Sequence, residues 1–295
     1  MGALDGVRVI ELAGIGPGPF CGMMLADMGA EIIRIDRAGS VRGGDPASPP
    51  AVVNARGRRS IGVDLKSEAG RDLVLRLVED ADVVFEGFRP GVAERLGVGP
   101  EDCLARNPAI VYGRMTGWGQ DGPYASTAGH DINYISLAGA LAHMGRSDSG
   151  PVPPLNLVGD FGGGGMYLAY GIVCALLSAR TTGEGQVVDA AMVDGASLLM
   201  APLYGIHALG GWKERGTNVL DSGAPFYDVY ETSDEKWISI GSLEPQFYAE
   251  LQHKLDLDPE EFPAQMDPRG WPALREQLTK LFRAKTRDEW CEILE

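Results

Sequence analysis

Short apolar segments alternate with helical segments along the first two thirds of the chain. The pattern predicts strands at residues 7–12, 31–36, 81–86, 109–114 and 186–189, and helices at 19–28, 68–79 and 92–96. Two further helices are expected, one led by the glycines after Asp160 and one at 191–209. Strands that alternate with helices form a parallel sheet, because each helix carries the chain back to the edge where the next strand begins. The sequence therefore predicts an α/β fold with helices on the faces of a parallel sheet.

The pattern changes at residue 210. A loop rich in Gly, Asn and Asp covers residues 210–224, and two strands joined by turn residues are predicted at 226–232 and 236–240. Helices are predicted at 246–254, 272–283 and 287–294. We expect a large domain at 1–209, a linker at 210–224 and a small α+β domain at 225–295. No capping residue follows the last helical pattern, which predicts a chain truncated at its C-terminus.

The net charge of −15 is unevenly distributed along the chain. An acidic protein lacks the basic surface that phosphate backbones require, so we expect no nucleic-acid partner. Residues 34–66 nevertheless carry seven basic side chains, Arg42 among them, against three acidic ones, of which Asp45 is one. This stretch, called the basic stretch below, favours a small polyanionic ligand.

The four cysteines lie far apart, and no His or Cys pair has the spacing of a zinc site. We therefore expect a cytoplasmic protein in a reduced compartment, with no disulfide and no metal. Residues 161–179 carry no charge, but they include a run of four glycines and too few strongly apolar residues for a membrane span. A buried core helix, and no membrane partner, is the expectation here.

The loop Gly14-Ile15-Gly16-Pro17-Gly18 partly matches a dinucleotide-binding fingerprint. Its third glycine is displaced, and Pro17 and Pro19 remove N–H groups that a pyrophosphate would need. We expect a tight strand-to-helix turn at this loop, with no nicotinamide or flavin cofactor.

Two titratable residues, His130 and Asp160, lie next to glycines that let a ligand approach the backbone. An isolated His or Asp is usually structural, and Glu244 taken alone is more often a solvated carboxylate. Two such groups together suit a reaction that moves a proton between the two faces of one carbon. The glycines at 162–165 further predict helix-start N–H groups that stabilise negative charge on a carbonyl oxygen.

Eight segments occur together in this chain: VIELAG at 9–14, RIDR at 34–37, DLK at 64–66, RMTGWGQ at 114–120, GHDINY at 129–134, NLVGDFGGGG at 156–165, GQVVDAAMV at 185–193 and GAPFY at 223–227. With them the chain resembles the α-methylacyl-CoA racemases of the family III CoA-transferase superfamily, from about Leu4 to Trp290. The resemblance implies a Rossmann-like large domain, a small domain and an interlocked homodimer. Each active site would lie between the large domain of one subunit and the small domain of the other.

The resemblance also assigns roles to individual residues. It gives His130 and Asp160 the acid–base roles, lets Glu244 orient His130 across the subunit boundary, and makes Asn156 a hydrogen-bond partner of Asp160. The coenzyme A part of an acyl-CoA substrate would contact Arg37, Val63, Asp64, Leu65, Lys66, Arg89, Gly129, Asp131, Ile132, Asn133 and Tyr134. Coenzyme A is then part of the substrate, and no separate cofactor is expected.

The activity implied is inversion of the α-carbon of 2-methylacyl-CoA thioesters. One base removes the α-proton, and the other returns a proton to the opposite face of the enolate; by analogy His130 serves the 2S epimer and Asp160 the 2R epimer. The first alternative is a family III CoA-transferase with Asp160 as nucleophile. The second is a non-catalytic acyl-CoA-binding protein. A histidine in this setting favours the racemase, because transfer needs no second base there.

Overall fold

The computed structural model describes residues 2–40, 53–258 and 264–294, so Arg42 and Asp45 of the basic stretch lie outside the described residues. The chain forms two compact units. The first comprises Met1–Ala140 and Pro153–Ala201, and the second comprises Leu141–Val152 and Pro202–Glu295.

A six-stranded sheet forms the centre of the first unit. Its strands are β1 (Arg8–Leu12), β2 (Glu31–Arg37), β3 (Arg58–Val63), β4 (Val83–Glu86), β5 (Val111–Thr116) and β6 (Val187–Ala191), in the order β3-β2-β1-β4-β5-β6. Every neighbouring pair is parallel. The prediction of an α/β fold with a parallel sheet is therefore confirmed. The strand order reverses between β1 and β4, and open sheets of this kind bind ligands beyond the carboxyl ends of their strands at that point.

Helices cover both faces of this sheet. They are α1 (Pro17–Asp27), α2 (Glu68–Glu79), α3 (Val92–Arg95), α4 (Pro100–Arg106), α5 (Asp131–Leu137), α6 (Tyr167–Thr182) and α7 (Met192–Leu199), with short 3₁₀ turns at Ala38–Ser40 and Val53–Ala55. Cys21 of α1 and Ile172 of α6 pack in the core on one face, and Val74 of α2 and Cys103 of α4 pack on the other. Burial on both faces explains why β4 and β5 are apolar along most of their length.

The glycine-led helix predicted after Asp160 begins as a π-helix. This π-helix spans Leu157–Met166 and leads directly into α6. By length and composition, Leu157–Thr182 is a helical stretch that could cross a membrane, although core helices of soluble proteins meet the same criteria. Leu168, Ile172 and Ala175 pack into the core beside the sheet, as expected of a buried core helix.

The single helix predicted at 191–209 is wrong in one respect. It is divided into α7 and α8 (Ala201–Ala208), and Met200 separates them. Pro202 explains the break, because proline lacks the N–H that would continue the helix and its ring clashes with the preceding turn.

The second unit contains α8, an antiparallel hairpin and three helices. The hairpin is β7 (Tyr227–Glu231) and β8 (Trp237–Gly241), and the helices are α9 (Pro245–Lys254), α10 (Trp271–Phe282) and α11 (Arg287–Leu294). Phe226, Leu278, Phe282 and Trp290 lie at the centre of its own core. This is the α+β arrangement expected for the small domain.

The borders of this unit differ from the predicted domain borders. It begins at Pro202 and includes residues 141–152, which contain a 3₁₀ turn at Leu141–His143. Side chains attach this segment to the rest of the unit: Arg146 donates to both carboxylate oxygens of Asp228, at 3.1 and 2.7 Å, and Trp212 Nε1 donates to His143 Nδ1 at 3.0 Å. No pattern in the sequence signals these long-range pairings.

Candidate active site

Two loops that leave carboxyl ends of the sheet border the predicted site. The chain leaves β1 through Gly14 and Gly16, and the N-cap Gly16 has a φ of 65°, which a side chain would disfavour. A Cβ at Gly16 would stand 3.5 Å from Asp160 Oδ2. The chain leaves β5 at Gly117, where a Cβ would collide with the ring of Tyr134. The first loop therefore reaches Asp160, and the second reaches the helix that begins after His130.

His130 is the N-cap of α5, with extended backbone angles of −133° and 171°. The Asn133 side chain accepts a hydrogen bond from the His130 N–H at 3.0 Å, and the His130 carbonyl accepts from Asn133 N–H at 2.8 Å. These two bonds fix the backbone at His130 and leave its side chain exposed to solvent. An imidazole at this position can meet a substrate.

Asp160 lies within the first turn of the π-helix and is partly buried. Asn156 Nδ2 donates to its Oδ2 at 3.1 Å, as the resemblance implied. Burial raises the pKa of Asp160; the Asn156 hydrogen bond lowers it, the charge of Asp131 raises it and the charge of His130 lowers it, with a net upward shift. A raised pKa is typical of carboxyl groups that act as acid and base, because it brings the pKa nearer to neutral pH.

The buried carboxylate of Asp131 holds the start of the π-helix. Its Oδ2 accepts hydrogen bonds from the backbone N–H groups of Gly159 at 2.6 Å and of Asp160 at 2.7 Å. Only 5% of Asp131 is exposed, and its Oδ1 has no hydrogen-bond partner among the described residues. Helix-start N–H groups favour such a negative partner.

The predicted role of Gly162–Gly165 as a helix start is wrong, because the π-helix has already begun at Leu157. The glycines instead permit close packing. A Cβ at Gly163 would stand 2.6 Å from Ala196 N, and one at Gly165 would stand 2.7 Å from the Pro17 carbonyl oxygen. They therefore let the π-helix approach α7 and α1.

Glu244 belongs to the second unit. It is the exposed N-cap of α9, its carbonyl accepts from Tyr248 N–H at 2.9 Å, and its side chain makes no capping hydrogen bond. The carboxylate therefore does not cap the helix, which is the most common local role for an acidic residue at a helix start. Its expected contact with His130 of another subunit stays a prediction.

The residues predicted to bind coenzyme A lie at three places in the first unit. Arg37 is the last residue of β2 and pairs with Val63, the last residue of β3, so the sheet brings Arg37 and the Val63–Lys66 segment to one edge. Within that segment, an Asp64 carboxylate oxygen accepts a hydrogen bond from the Lys66 N–H at 3.0 Å. Arg37 and Lys66 are exposed, Leu65 is partly exposed and Val63 is a core residue. The side chain of Val63 is thus unavailable to a ligand.

The Gly129–Tyr134 segment also contains both exposed and buried residues. Ile132 and Asn133 are exposed, whereas Asp131 and Tyr134 are buried. The Tyr134 ring packs edge-on against Trp118, with ring centroids 4.8 Å apart. Burial raises the pKa of Tyr134, and the charges of Asp160 and Asp131 raise it further.

Arg89 lines an open cavity of about 440 Å³ in the first unit, together with Arg95, Gln120, Asp121 and Ser126. The lining of this cavity does not include Arg37, Lys66 or any residue of 129–134. The structure therefore supplies two separate exposed cationic positions for a ligand, Arg37 with Lys66 and Arg89 with Arg95.

Four arginines of the basic stretch form ion pairs inside the first unit. Arg58, whose side chain is 2% exposed, pairs with the fully buried Glu11 at 2.6 Å, and Arg34 pairs with the same carboxylate at 2.9 Å. Arg56 pairs with Asp27, and Arg59 pairs with Glu31. Among the described residues of the basic stretch, Arg37 and Lys66 form no ion pair, which leaves both side chains available to a ligand.

Two contributors to the site were missed by reasoning from the sequence. The capping role of Asp131 was missed because it depends on a pairing 28 residues apart. The contact of Gly16 with Asp160 was missed because the glycine loop was assigned only a turn. A positive signal existed for Gly16, since a glycine before two prolines at a helix start indicates a constrained backbone.

Comparison with known proteins places these residues in a family context. The model of CoA-transferase family III matches residues 4–295. Alpha-methylacyl-CoA racemase of Mus musculus is 47% identical over 293 residues, which are 99% of this chain and 75% of the mouse protein. The human protein of the same name is 44% identical over 294 residues, with the same coverage. The crystal structure of a CAIB/BAIF family protein from Brucella suis superposes with a TM-score of 0.79 at 29% identity, covering 99% of this chain and 81% of that one.

Proposed function

Because the chain belongs to CoA-transferase family III, and because its relatives at 44–47% identity are named alpha-methylacyl-CoA racemases, we propose that it inverts the α-carbon of 2-methylacyl-CoA thioesters. The enzyme is an isomerase. One of its two bases removes the α-proton, and the other delivers a proton to the opposite face of the resulting enolate. His130 acts on the 2S epimer and Asp160 on the 2R epimer.

The observation that carries this function is the pairing of two different titratable groups in one site. The charges of His130 and Asp160 interact, and burial raises the pKa of the Asp160 carboxyl. The proton α to a thioester is weakly acidic, so its removal needs a positioned base and a nearby acid, each contributing several kcal/mol. One group cannot serve both faces of the carbon, whereas two groups can.

The decisive experiment uses a pure 2R-methylacyl-CoA in deuterated water. Inversion by two bases yields the 2S product with one deuterium at the α-carbon, detected by chiral chromatography and mass spectrometry. His130→Ala should abolish inversion and leave slow deuterium exchange in the 2R substrate, while Asp160→Ala should leave exchange only in the 2S substrate. Inversion without deuterium uptake in the wild-type protein would refute the mechanism.

A CoA-transferase with Asp160 as nucleophile is the competing function, and family membership alone fits it. In that reaction the carboxylate attacks the thioester carbonyl, expels the CoA thiolate and forms an acyl anhydride on Asp160. Incubation with acyl-CoA and hydroxylamine would convert this anhydride into a hydroxamate on Asp160. That adduct, together with CoA transfer to a free carboxylic acid, would favour the transferase over the racemase.

The interlocked homodimer is part of the same proposal, with Glu244 of one subunit orienting His130 of the other. Coexpression of His130→Ala with Glu244→Gln chains tests this arrangement. In a mixed dimer one site would carry both substitutions and the other would carry neither, so activity should return. If the mixed preparation is no more active than the two separate variants, the shared site is refuted.

The reaction as proposed needs no metal, nicotinamide or flavin. Among the described residues no cluster of three or more potential metal-ligating side chains occurs. Loss of activity on treatment with EDTA, and its recovery with zinc or magnesium, would contradict this part of the proposal. The compartment proposed is the cytoplasm, in keeping with four cysteines that form no disulfide in the structure.

A further inference from the structure

The two acid–base residues are linked through one buried side chain that the proposed mechanism does not use. Asp131 directly follows His130 at the start of α5, and its Oδ2 accepts the N–H groups of Gly159 and Asp160 at 2.6 and 2.7 Å. The same residue thus has a covalent bond to one base and a hydrogen bond to the backbone of the other. The segments that carry the two bases are otherwise far apart in sequence.

The contact is close. A Cβ at Gly159 would stand 2.7 Å from Asp131 Oδ2 and 3.2 Å from Asp131 Cα, so a larger residue at position 159 would have to displace the carboxylate. Asp131 is 5% exposed, and its Oδ1 has no partner among the described residues. Leaving one carboxylate oxygen buried without a partner costs free energy, typically about 1–3 kcal/mol. A residue whose purpose was only to cap a helix could do so at the surface without this cost.

We propose that Asp131 is a positioning residue of the racemase reaction: its carboxylate holds Asp160 at a fixed place relative to His130 and places a negative charge beside Asp160. The inference rests on the proposed function. Asp131 then positions the acid–base pair and does not contact coenzyme A; its burial argues against such a contact.

The surroundings of Asp160 leave few other charges to take this role. From α5 it faces His130, Asp131 and Tyr134, and from its own helix it receives the Asn156 hydrogen bond. The first turn of α1, which brings Gly16 close, contains no titratable residue before Cys21. Asp194, the carboxylate of the neighbouring α7, interacts with Asp189. Asp131 is therefore the carboxylate that acts on Asp160.

Asp131→Asn tests the charge, because an amide oxygen can accept the same two N–H groups. Removing a like charge lowers the proton affinity of Asp160, so the acid limb of kcat/KM for inversion should move to lower pH by about one unit. Gly159→Ala tests the contact, because it displaces the carboxylate and keeps its charge. A displacement of this kind should lower kcat about tenfold or more and leave KM within about twofold.

Asp72→Asn is the matched control, since Asp72 is exposed on α2 and its removal changes the net charge by the same amount. It should leave kcat and the pH profile unchanged. Thermal unfolding establishes that each variant is folded; if Asp131→Asn does not fold, Gly159→Ala alone decides. A folded Asp131→Asn enzyme with an unmoved acid limb, or a folded Gly159→Ala enzyme with wild-type kcat, would overturn the inference. A wild-type protein that inverts no methylacyl-CoA would instead refute the proposed function itself.

Discussion

Asn156 provides the most direct test of how Asp160 is tuned. Its Nδ2 donates to Asp160 Oδ2 at 3.1 Å, and this bond favours the ionised form of the carboxyl group. A hydrogen bond to a charged acceptor contributes about 1.5–3 kcal/mol. Because Asn156 is exposed, a water molecule will partly replace its hydrogen bond to Asp160 in Asn156→Ala, and the net loss should be about 1 kcal/mol. Asn156→Ala should therefore raise the pKa of Asp160, because the lost hydrogen bond favoured the ionised carboxylate.

The assay is kcat/KM for inversion measured across the acidic range with both epimers. Activity falls at low pH when both bases are protonated, so a higher pKa for Asp160 moves this limb to higher pH. Inversion in either direction uses the form of the enzyme in which one of the two bases carries the proton, so both epimers should report the same shift. Asn156→Asp should move the limb further in the same direction, because it adds a like charge beside Asp160. A limb that stays in place or moves to lower pH in Asn156→Ala would refute this account of Asp160.

Three further predictions concern packing, binding and pH. Gly195→Ala places a Cβ in collision with the Gly163 carbonyl oxygen and should destabilise the protein by about 3 kcal/mol. Gly205→Ala is the control, because its Cβ meets nothing within 4 Å and should cause no such loss. Thermal unfolding distinguishes the two variants. Arg37→Ala should raise KM for acyl-CoA about tenfold with little change in kcat, and the wild-type KM should itself rise with salt; equal KM values for both proteins at low and high salt would exclude the contact. Burial raises the pKa of Glu86 from 4.5 to about 7, so its contribution to stability is complete below pH 4.5 and is lost as pH rises through 7, by roughly 3 kcal/mol. Urea unfolding of Glu86→Gln should lack this fall, and an unchanged pH dependence would show that Glu86 is not its source.

The helices and strands that the sequence predicts best carry local signals. The predicted helix at 68–79 agrees with α2 because Ser67 caps it, with its side chain accepting from Gly70 N–H at 3.0 Å, and because Val74 and Val78 lie one turn apart on its buried face. The strand β3 was missed because its four central residues are exposed at the sheet edge and show no apolar alternation. The helix α5 was missed because the glycine before His130 and the polar residues after it indicate a loop.

The charged residues of the basic stretch show a different limit. Counting them predicted a polyanion site, yet Arg34 and Arg58 converge on Glu11, which lies 23 and 47 residues away in the chain. Charge available to a ligand is what remains after such internal pairing, and pairing between strands depends on the strand order. The resemblance singles out Arg37 from this stretch as a candidate, and Arg37 has no ion pair among the described residues, but its contact with coenzyme A stays a prediction.

The glycine run after Asp160 connects packing with catalysis. In a sequence, a glycine that admits a ligand cannot be distinguished from one that admits another backbone, and here Gly163 and Gly165 admit α7 and α1. This close packing holds the π-helix along its length, and Asp131 holds its first turn through two backbone N–H groups. Asp160 is therefore held in place from both sides. A fixed position is what the proposed reaction requires, because Asp160 must deliver a proton to one face of the α-carbon after His130 has removed a proton from the other face. Substitutions that loosen the glycine contacts should accordingly lower kcat before they abolish folding.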